Sequence, residues 1–245
     1  MKKEILILKN ISREGPGLIE DVLIESGLAY SVIDLSENHS LSSLQNYNAI
    51  IVLGGPDSAN DTSSKILEEL KLIRRAINLN IPYLGICLGM QMLVKAVGGK
   101  VVKNPVKEVG FSNADGDPYT IELTQDGMFD PLFANLKNSF NVFQLHGETV
   151  IPTNEINVLA TGKHCVNQVI KLGTNAYGIQ CHFELTEDLL NVWTKEDDDL
   201  KLLDRVELIT NLNEMKSEYT STGKQLIKNF LKIVGYELNI PSDSY

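Results

Sequence analysis

The chain has 245 residues, of which 43% are hydrophobic, enough to bury a sizeable core in one α/β domain or two small ones. It carries 22 basic against 32 acidic residues, a net charge of −10, and such a surface repels phosphate backbones, so nucleic acid is not an expected partner. No stretch approaches the ~18 apolar residues of a membrane span, and Met1-Lys-Lys-Glu4 runs into an apolar strand without the pattern of a signal peptide.

Taken in order, the first hundred residues alternate strand and helix signals. Glu4–Leu8 predicts a strand, Gly17–Gly27 a helix ending on glycine, and Tyr30–Leu35 a second strand. Ala49–Leu53 is a buried strand that ends in the turn Gly54-Gly55-Pro56. Asp61, Thr62 and Ser63 offer helix caps, followed by a stripe of Ile66, Leu67, Leu70, Ile73 and Ile77. Ile81–Ile86 is another strand and Leu88–Val97 a helix. This alternation implies a parallel sheet covered by helices on both faces.

The middle third changes character. Lys100–Val102, Tyr119–Leu123, Asn141–Leu145, Val158–Thr161, Gln168–Leu172 and Tyr177–His182 predict short strands and hairpins in a more antiparallel arrangement. Glu187–Trp193, Leu200–Met215 and Lys224–Val234 predict helices, with Met, Trp and Phe as packing residues, and Pro241–Tyr245 a loose tail. The acidic run Glu196-Asp-Asp-Asp199 reads as a solvated face or turn.

Three motifs carry chemistry. In Pro82-Tyr-Leu-Gly-Ile-Cys-Leu-Gly-Met-Gln91 a strand meets a helix through Gly-x-Cys-x-Gly, the form of a nucleophile elbow. A side chain at Gly85 or Gly89 would crowd the turn or the packed strand. Cys87 then stands at a helix N-terminus, where the dipole favours a thiolate and the Leu88 N–H faces a developing oxyanion. A thiol nucleophile needs a base, and the base needs an orienting group. His182 and Glu184, two apart near a strand end, project to one side and supply both. In Gly54-Gly55-Pro56 the missing side chains let backbone N–H groups approach a ligand, with Gly55 as the second oxyanion donor.

Other chemistries fit less well. Leu53-Gly-Gly-Pro-Asp-Ser58 differs from the loop of ATP pyrophosphatases, which begins with serine and enters a helix directly. No phosphate-cradling Gly-x-x-x-x-Gly-Lys-Ser/Thr occurs. The pairs His164-Cys165 and Cys181-His182 can each aim only one ligand at a shared point, so neither a metal nor another cofactor is expected. Three cysteines make no disulfide framework, and a reducing, cytoplasmic setting suits a free thiol.

Gly-Ile-Cys-Leu-Gly-Met-Gln, Gly-Gly-Pro and Gln-Cys-His-Phe-Glu, in this order, resemble class I glutamine amidotransferases. Glu108-Val-Gly110, Asp130-Pro-Leu-Phe133, Phe143-Gln-Leu-His-Gly-Glu-Thr149 and Cys165-Val-Asn-Gln168 extend the resemblance to the stand-alone, GMP-synthase-like branch. It covers nearly the whole chain, Glu4 to Val234. The resemblance implies a flavodoxin-like three-layer α/β sandwich with a mainly parallel central sheet, an antiparallel extension and extra C-terminal helices. One domain over 1–245 is expected, with a helical extension at about 186–236. The resemblance implies a Cys87–His182–Glu184 triad, an oxyanion hole from the N–H groups of Gly55 and Leu88, and glutamine held near Gly54, Gln91, Gln144, Leu145 and His146. Two departures stand out: Phe183 replaces the usual proline of His-Pro-Glu, and Leu145 the usual tryptophan. The implied activity is hydrolysis of the glutamine amide through a cysteine thioester, with ammonia passed to a separate synthetase subunit. A γ-glutamyl hydrolase or peptidase acting on a larger γ-glutamyl compound, and a non-catalytic regulatory protein on the same scaffold, are the competing expectations.

Overall fold

The computed structural model describes residues 4–37 and 43–238. The predicted tail 241–245 lies outside them.

Eleven strands and six α-helices follow one another in the described residues. β1 (Glu4–Lys9), β2 (Tyr30–Asp34), β3 (Tyr47–Val52) and β4 (Tyr83–Ile86) alternate with α1 (Leu18–Glu25), α2 (Ser64–Asn78) and α3 (Leu88–Ala96). β5 (Lys100–Gly110) and β6 (Thr120–Leu123) precede the short α4 (Gln125–Phe129). β7 (Ser139–Asn141), β8 (Gln144–Ile151), β9 (Ile156–Gly162), β10 (Val169–Leu172) and β11 (Ala176–Ile179) come next, then α5 (Glu187–Glu196) and α6 (Arg205–Val234).

Nine strands form one sheet in the order β2-β1-β3-β4-β11-β10-β9-β6-β7. The first five are parallel. From β11 outward the pairing is antiparallel. β5 and β8 pair separately as a two-stranded ribbon. The parallel strands are apolar on both faces because helices cover both. Ile5, Ile7 and Ile51 pack with α1 and the C-terminal half of α6, whereas Leu6, Leu8, Ile50 and Val52 pack with α2 and α3. The result is the expected three-layer flavodoxin-like sandwich.

Local chemistry sets the helix ends. Of the three predicted caps for α2, Ser63 takes the role, and its hydroxyl accepts the Ile66 N–H. Leu67, placed in the buried stripe by spacing, is 44% exposed; Glu69 is buried instead. The predicted strand Asn141–Leu145 is two strands: the chain leaves the main sheet at Val142-Phe143 and joins β5 as β8. The predicted Lys100–Val102 runs on to Gly110, across a register shift between Lys103 and Glu108. The two helices expected at Leu200–Met215 and Lys224–Val234 are one, α6. Its polar centre interrupts the apolar periodicity, yet Tyr219 and Gly223 there are buried.

Candidate active site

Cys87 caps α3 directly after β4, with φ 50° and ψ −105°, a conformation that costs a non-glycine residue free energy. Among the described residues only Asn80 and Asn135 share a positive φ without being glycine. The elbow needs its glycines for lack of space. A Cβ on Gly85 would strike the Gly89 backbone, and one on Gly89 the Val52 carbonyl. The Cys87 N–H donates to the Ile179 carbonyl at 2.7 Å, which ties the elbow to the end of β11. The next amide, that of Leu88, opens the first turn of α3, where N–H groups have no partner inside the helix.

His182 lies beyond β11, not within it as the sequence pattern suggests. An isolated antiparallel bridge to Phe143 holds it, with its N–H donating to the Phe143 carbonyl at 2.9 Å. Nδ1 lies 2.7 Å from Glu184 Oε1, and both side chains are buried. Nε2 turns toward Cys87 and has no other partner among the described residues. Burial disfavours charge on this imidazole, but Glu184 and the Cys87 sulfur outweigh it, and the His182 pKa lies well above its ordinary value. The Trp193 ring packs edge-on to the imidazole, 5.0 Å between centroids.

Glu184 is fixed at both oxygens. Oε2 accepts the Phe183 N–H at 3.0 Å. A proline at 183 has no N–H to give, so the departure from His-Pro-Glu adds a hydrogen bond to the acid. The Glu184 carbonyl accepts the Leu18 N–H at 2.9 Å and so satisfies the first turn of α1.

These groups open on a cavity of about 500 Å³ bordered by Gly55, Cys87, Gln91, Leu145, His146 and His182. Gly54 is packed among these side chains and does not border the cavity: a methyl there would stand 2.5 Å from Glu14 Oε2, 3.1 Å from His182 Cε1 and 3.5 Å from Cys87 Cβ. Gly55 packs over Asn10 and the Leu88 side chain, which brings its backbone beside the start of α3. Gln91 donates to the carbonyl of Glu148 at 3.3 Å and to Gln180 Oε1 at 3.2 Å. The Leu145 carbonyl lies 3.7 Å from Cys87 Sγ. Gln144 is buried and does not border the cavity.

A second Cys/His/Glu cluster lies nearby: ligand atoms of Glu108, His146 and Cys165 fall within 4.8 Å of one another. It does not have the character of a nucleophile or metal site. Burial pushes the Cys165 thiol up to about 11, and its sulfur lies 3.7 Å from the Asn167 carbonyl, the geometry of a protonated donor. His146 Nδ1 faces the Glu148 carbonyl at 3.0 Å, an acceptor only, so Nδ1 carries a proton. Nε2 lies 3.0 Å from Glu108 Oε2. The pair braces the β5–β8 ribbon.

Sequence reasoning missed several neighbours. Glu14, after β1, is 5% exposed and borders the cavity. Gln180 donates to Cys87 Sγ at 3.5 Å. The run Glu196–Asp199 is more than a solvated turn: it borders the cavity, with Asp197 paired to Arg13 and Asp199 to Lys107. An isolated acid in a loop carries no pattern that marks it, and only the tertiary fold brings these groups to the site.

The family model for glutamine amidotransferase class-I matches residues 17–191, more than half of the chain. The protein therefore belongs to the class I glutamine amidotransferases. It is 32% identical over 145 residues to the glutamine amidotransferase-like protein YfeJ of Salmonella typhimurium, covering 57% of this chain and 58% of that protein. To the glutamine-hydrolyzing GMP synthase of Bacillus subtilis it is 37% identical over 142 residues, 57% of this chain but 25% of the synthase. The fold matches a glutamine amidotransferase from Thermotoga maritima with a TM-score of 0.83 at 23% identity, over 96% of this chain and 100% of that one. A glutamine amidotransferase from Methylobacillus flagellatus gives 0.84 at 22%, over 97% of each chain. Among the described residues no helix is long and apolar enough to cross a membrane.

Proposed function

We propose that the protein hydrolyses the side-chain amide of glutamine through a thioester on Cys87. The observation that carries this reading is the meeting, at one cavity, of a cysteine on a strained elbow with a histidine that a buried glutamate orients. His182 takes the thiol proton, and the thiolate attacks the amide carbon. The oxyanion rests on the N–H groups of Gly55 and Leu88. His182 then protonates the departing ammonia, and water cleaves the thioester by the same route. Of the five residues expected to hold the glutamine, Gln91, Leu145 and His146 border the cavity and are the ones from which we read its contacts, while Gly54 and Gln144 lie outside the lining.

By analogy with the GMP synthase, of which the matched part is a quarter, we read the ammonia as handed to a synthetase. We also read residues 1–245 as one catalytic unit whose helical extension, about 186–236, buttresses the site. The contact between Tyr219 and His182 supports this. Three free thiols suit a cytoplasmic setting.

A glutamine-like diazoketone tests the chemistry. It is expected to alkylate Cys87 and to spare Cys165 and Cys181, whose thiols burial holds well above their ordinary range. Labelling elsewhere, or none, overturns the assignment.

A further inference from the structure

The turn that offers the Gly55 N–H lies between β3 and α2 and contains two adjacent glycines, the residues with the widest backbone freedom. Something outside the turn must therefore aim that N–H. Asn10, just after β1, lies against it and is 1% exposed. Its Nδ2 donates to the Leu53 carbonyl at 3.2 Å and to Glu69 Oε1 of α2 at 3.3 Å. A Cβ on Gly55 would stand 2.6 Å from Asn10 Cβ, so the Gly55 backbone rests directly on this side chain. Lys65, in the first turn of α2, donates to the Asn10 carbonyl at 2.8 Å and to Asp57 Oδ2 at 2.5 Å. The turn is thus tied before Gly54, beneath Gly55 and after Pro56.

Packing alone does not call for these groups. Asn10 Oδ1 and Glu69 Oε2 are buried with no hydrogen-bond partner among the described residues, and each such atom is unfavourable. Apolar residues of similar size would avoid that cost. What the amide supplies is direction. The Leu53 carbonyl and the Gly54 N–H share one rigid plane, so fixing the carbonyl leaves only the Gly54 torsions to set where the Gly55 N–H points. Gly54 is itself hemmed in by Glu14, His182 and Cys87. Asn10, Lys65 and Glu69 do not border the cavity, so they act on the reaction only through the turn.

We propose that Asn10 is a positioning residue for the oxyanion hole: its side-chain amide, backed by Glu69, fixes the Leu53 carbonyl and through it the aim of the Gly55 N–H, while Lys65 and Asp57 hold the far side of the turn. This rests on the hydrolytic reading above. As the Cys87 Sγ–carbon bond forms, the carbonyl π pair moves onto oxygen, and the Gly55 N–H meets a charge that the ground-state amide lacks. Misaiming that donor raises the barrier and leaves the binding of glutamine, and the thiolate itself, as they were.

The test removes the amide with Asn10→Ala and follows kcat and KM for glutamine in the whole chain, together with alkylation of Cys87 by iodoacetamide, which needs the thiolate but forms no oxyanion. The expected kcat falls by about 10- to 100-fold, with KM within about threefold and the alkylation rate within about twofold of the parent's. Asn10→Ala/Glu69→Leu removes the stranded acid as well. Its urea midpoint should recover at least part of what Asn10→Ala loses, while its kcat stays low. If the single variant does not fold, the double variant carries the same comparison, and alkylation at the parent's rate reports an intact nucleophile in either. A fall in kcat of less than about tenfold, alkylation that slows in step with turnover, a rise in KM with kcat intact, or turnover that recovers with stability in the double variant overturns the proposal and leaves the hydrolytic reading standing. A parent chain that does not hydrolyse glutamine overturns both.

Discussion

Tyr219, in the middle of α6, donates its phenolic O–H to the backbone carbonyl of His182 at 2.6 Å. The tyrosine is buried, and burial holds its pKa well above the ordinary value, so it remains a donor across the working range. Four residues on, Gly223 lets the Phe183 carbonyl press against the same helix; a Cβ would occupy that oxygen's place. α6 thus grips the backbone at the histidine and at the residue after it. Tyr219→Phe leaves the His182 carbonyl buried without this donor. We expect a loss of about 1–3 kcal/mol in stability, read by urea denaturation, and a fall in turnover of less than about tenfold with KM little changed. A variant as stable as the parent would show the bond to be dispensable.

Gly54 and Gly223 are both denied side chains, for different reasons, and alanine should separate them. At Gly54 the added methyl meets Glu14 and His182 side chains, which must shift to admit it. Turnover should drop by about 10²-fold or more, because misplacement of the base by even an ångström is costly. At Gly223 the methyl meets a backbone carbonyl that cannot swing aside, and the cost of about 1–3 kcal/mol falls on stability. Measured together, thermal midpoint and turnover should rank the two variants in opposite orders.

Glu69 gives the fold a pH dependence. It is 1% exposed, Oε1 accepts from Asn10 Nδ2 at 3.3 Å, and Oε2 has no hydrogen-bond partner among the described residues. Burial raises its pKa from 4.5 to about 7. The folded state therefore holds a proton that the unfolded state has released between these values. Its contribution is present in full below about pH 4.5 and is lost as pH rises through about 7. Glu69→Gln should match the parent near pH 4.5 and exceed it near pH 8 by up to about 3 kcal/mol. Glu14 shifts in the same direction, so the variant's stability still declines, with a shallower slope. Parallel urea-midpoint curves for the two proteins would overturn this.

The parts of the fold that announce themselves in the sequence are those with short-range causes. β1, β3 and β4 are apolar runs because both their faces are covered, and the elbow shows in its glycines because only a residue without a side chain fits there. The continuity of α6 was hidden by its own function. Its centre is polar and carries a glycine because it meets backbone carbonyls of the site, not a greasy core. The switch of the chain between sheets at Val142-Phe143 was hidden too, since an apolar run gives no sign of which sheet it joins. Glu14 had no local signal at all, and Gln180, although it opens the Gln-Cys-His-Phe-Glu motif, gave no sign of its contact with Cys87. Their neighbours come from strands distant in the chain and adjacent only in the sheet.

That adjacency has a consequence for the order of events during folding. β4 pairs in parallel with β11, and Cys87 hangs from the Ile179 carbonyl. β1, β3 and β4 gather from the first hundred residues, and their crossovers can form early. β11 enters only after the loop of some ninety residues between it and β4 has closed, which slow, long-range parallel pairing makes a late step. Until then the cysteine has neither its proposed base, His182, nor the anchor at Ile179 that ties its backbone down. On the proposed chemistry, a nascent chain therefore carries only an ordinary thiol, and the power to hydrolyse glutamine arrives together with the completed sheet.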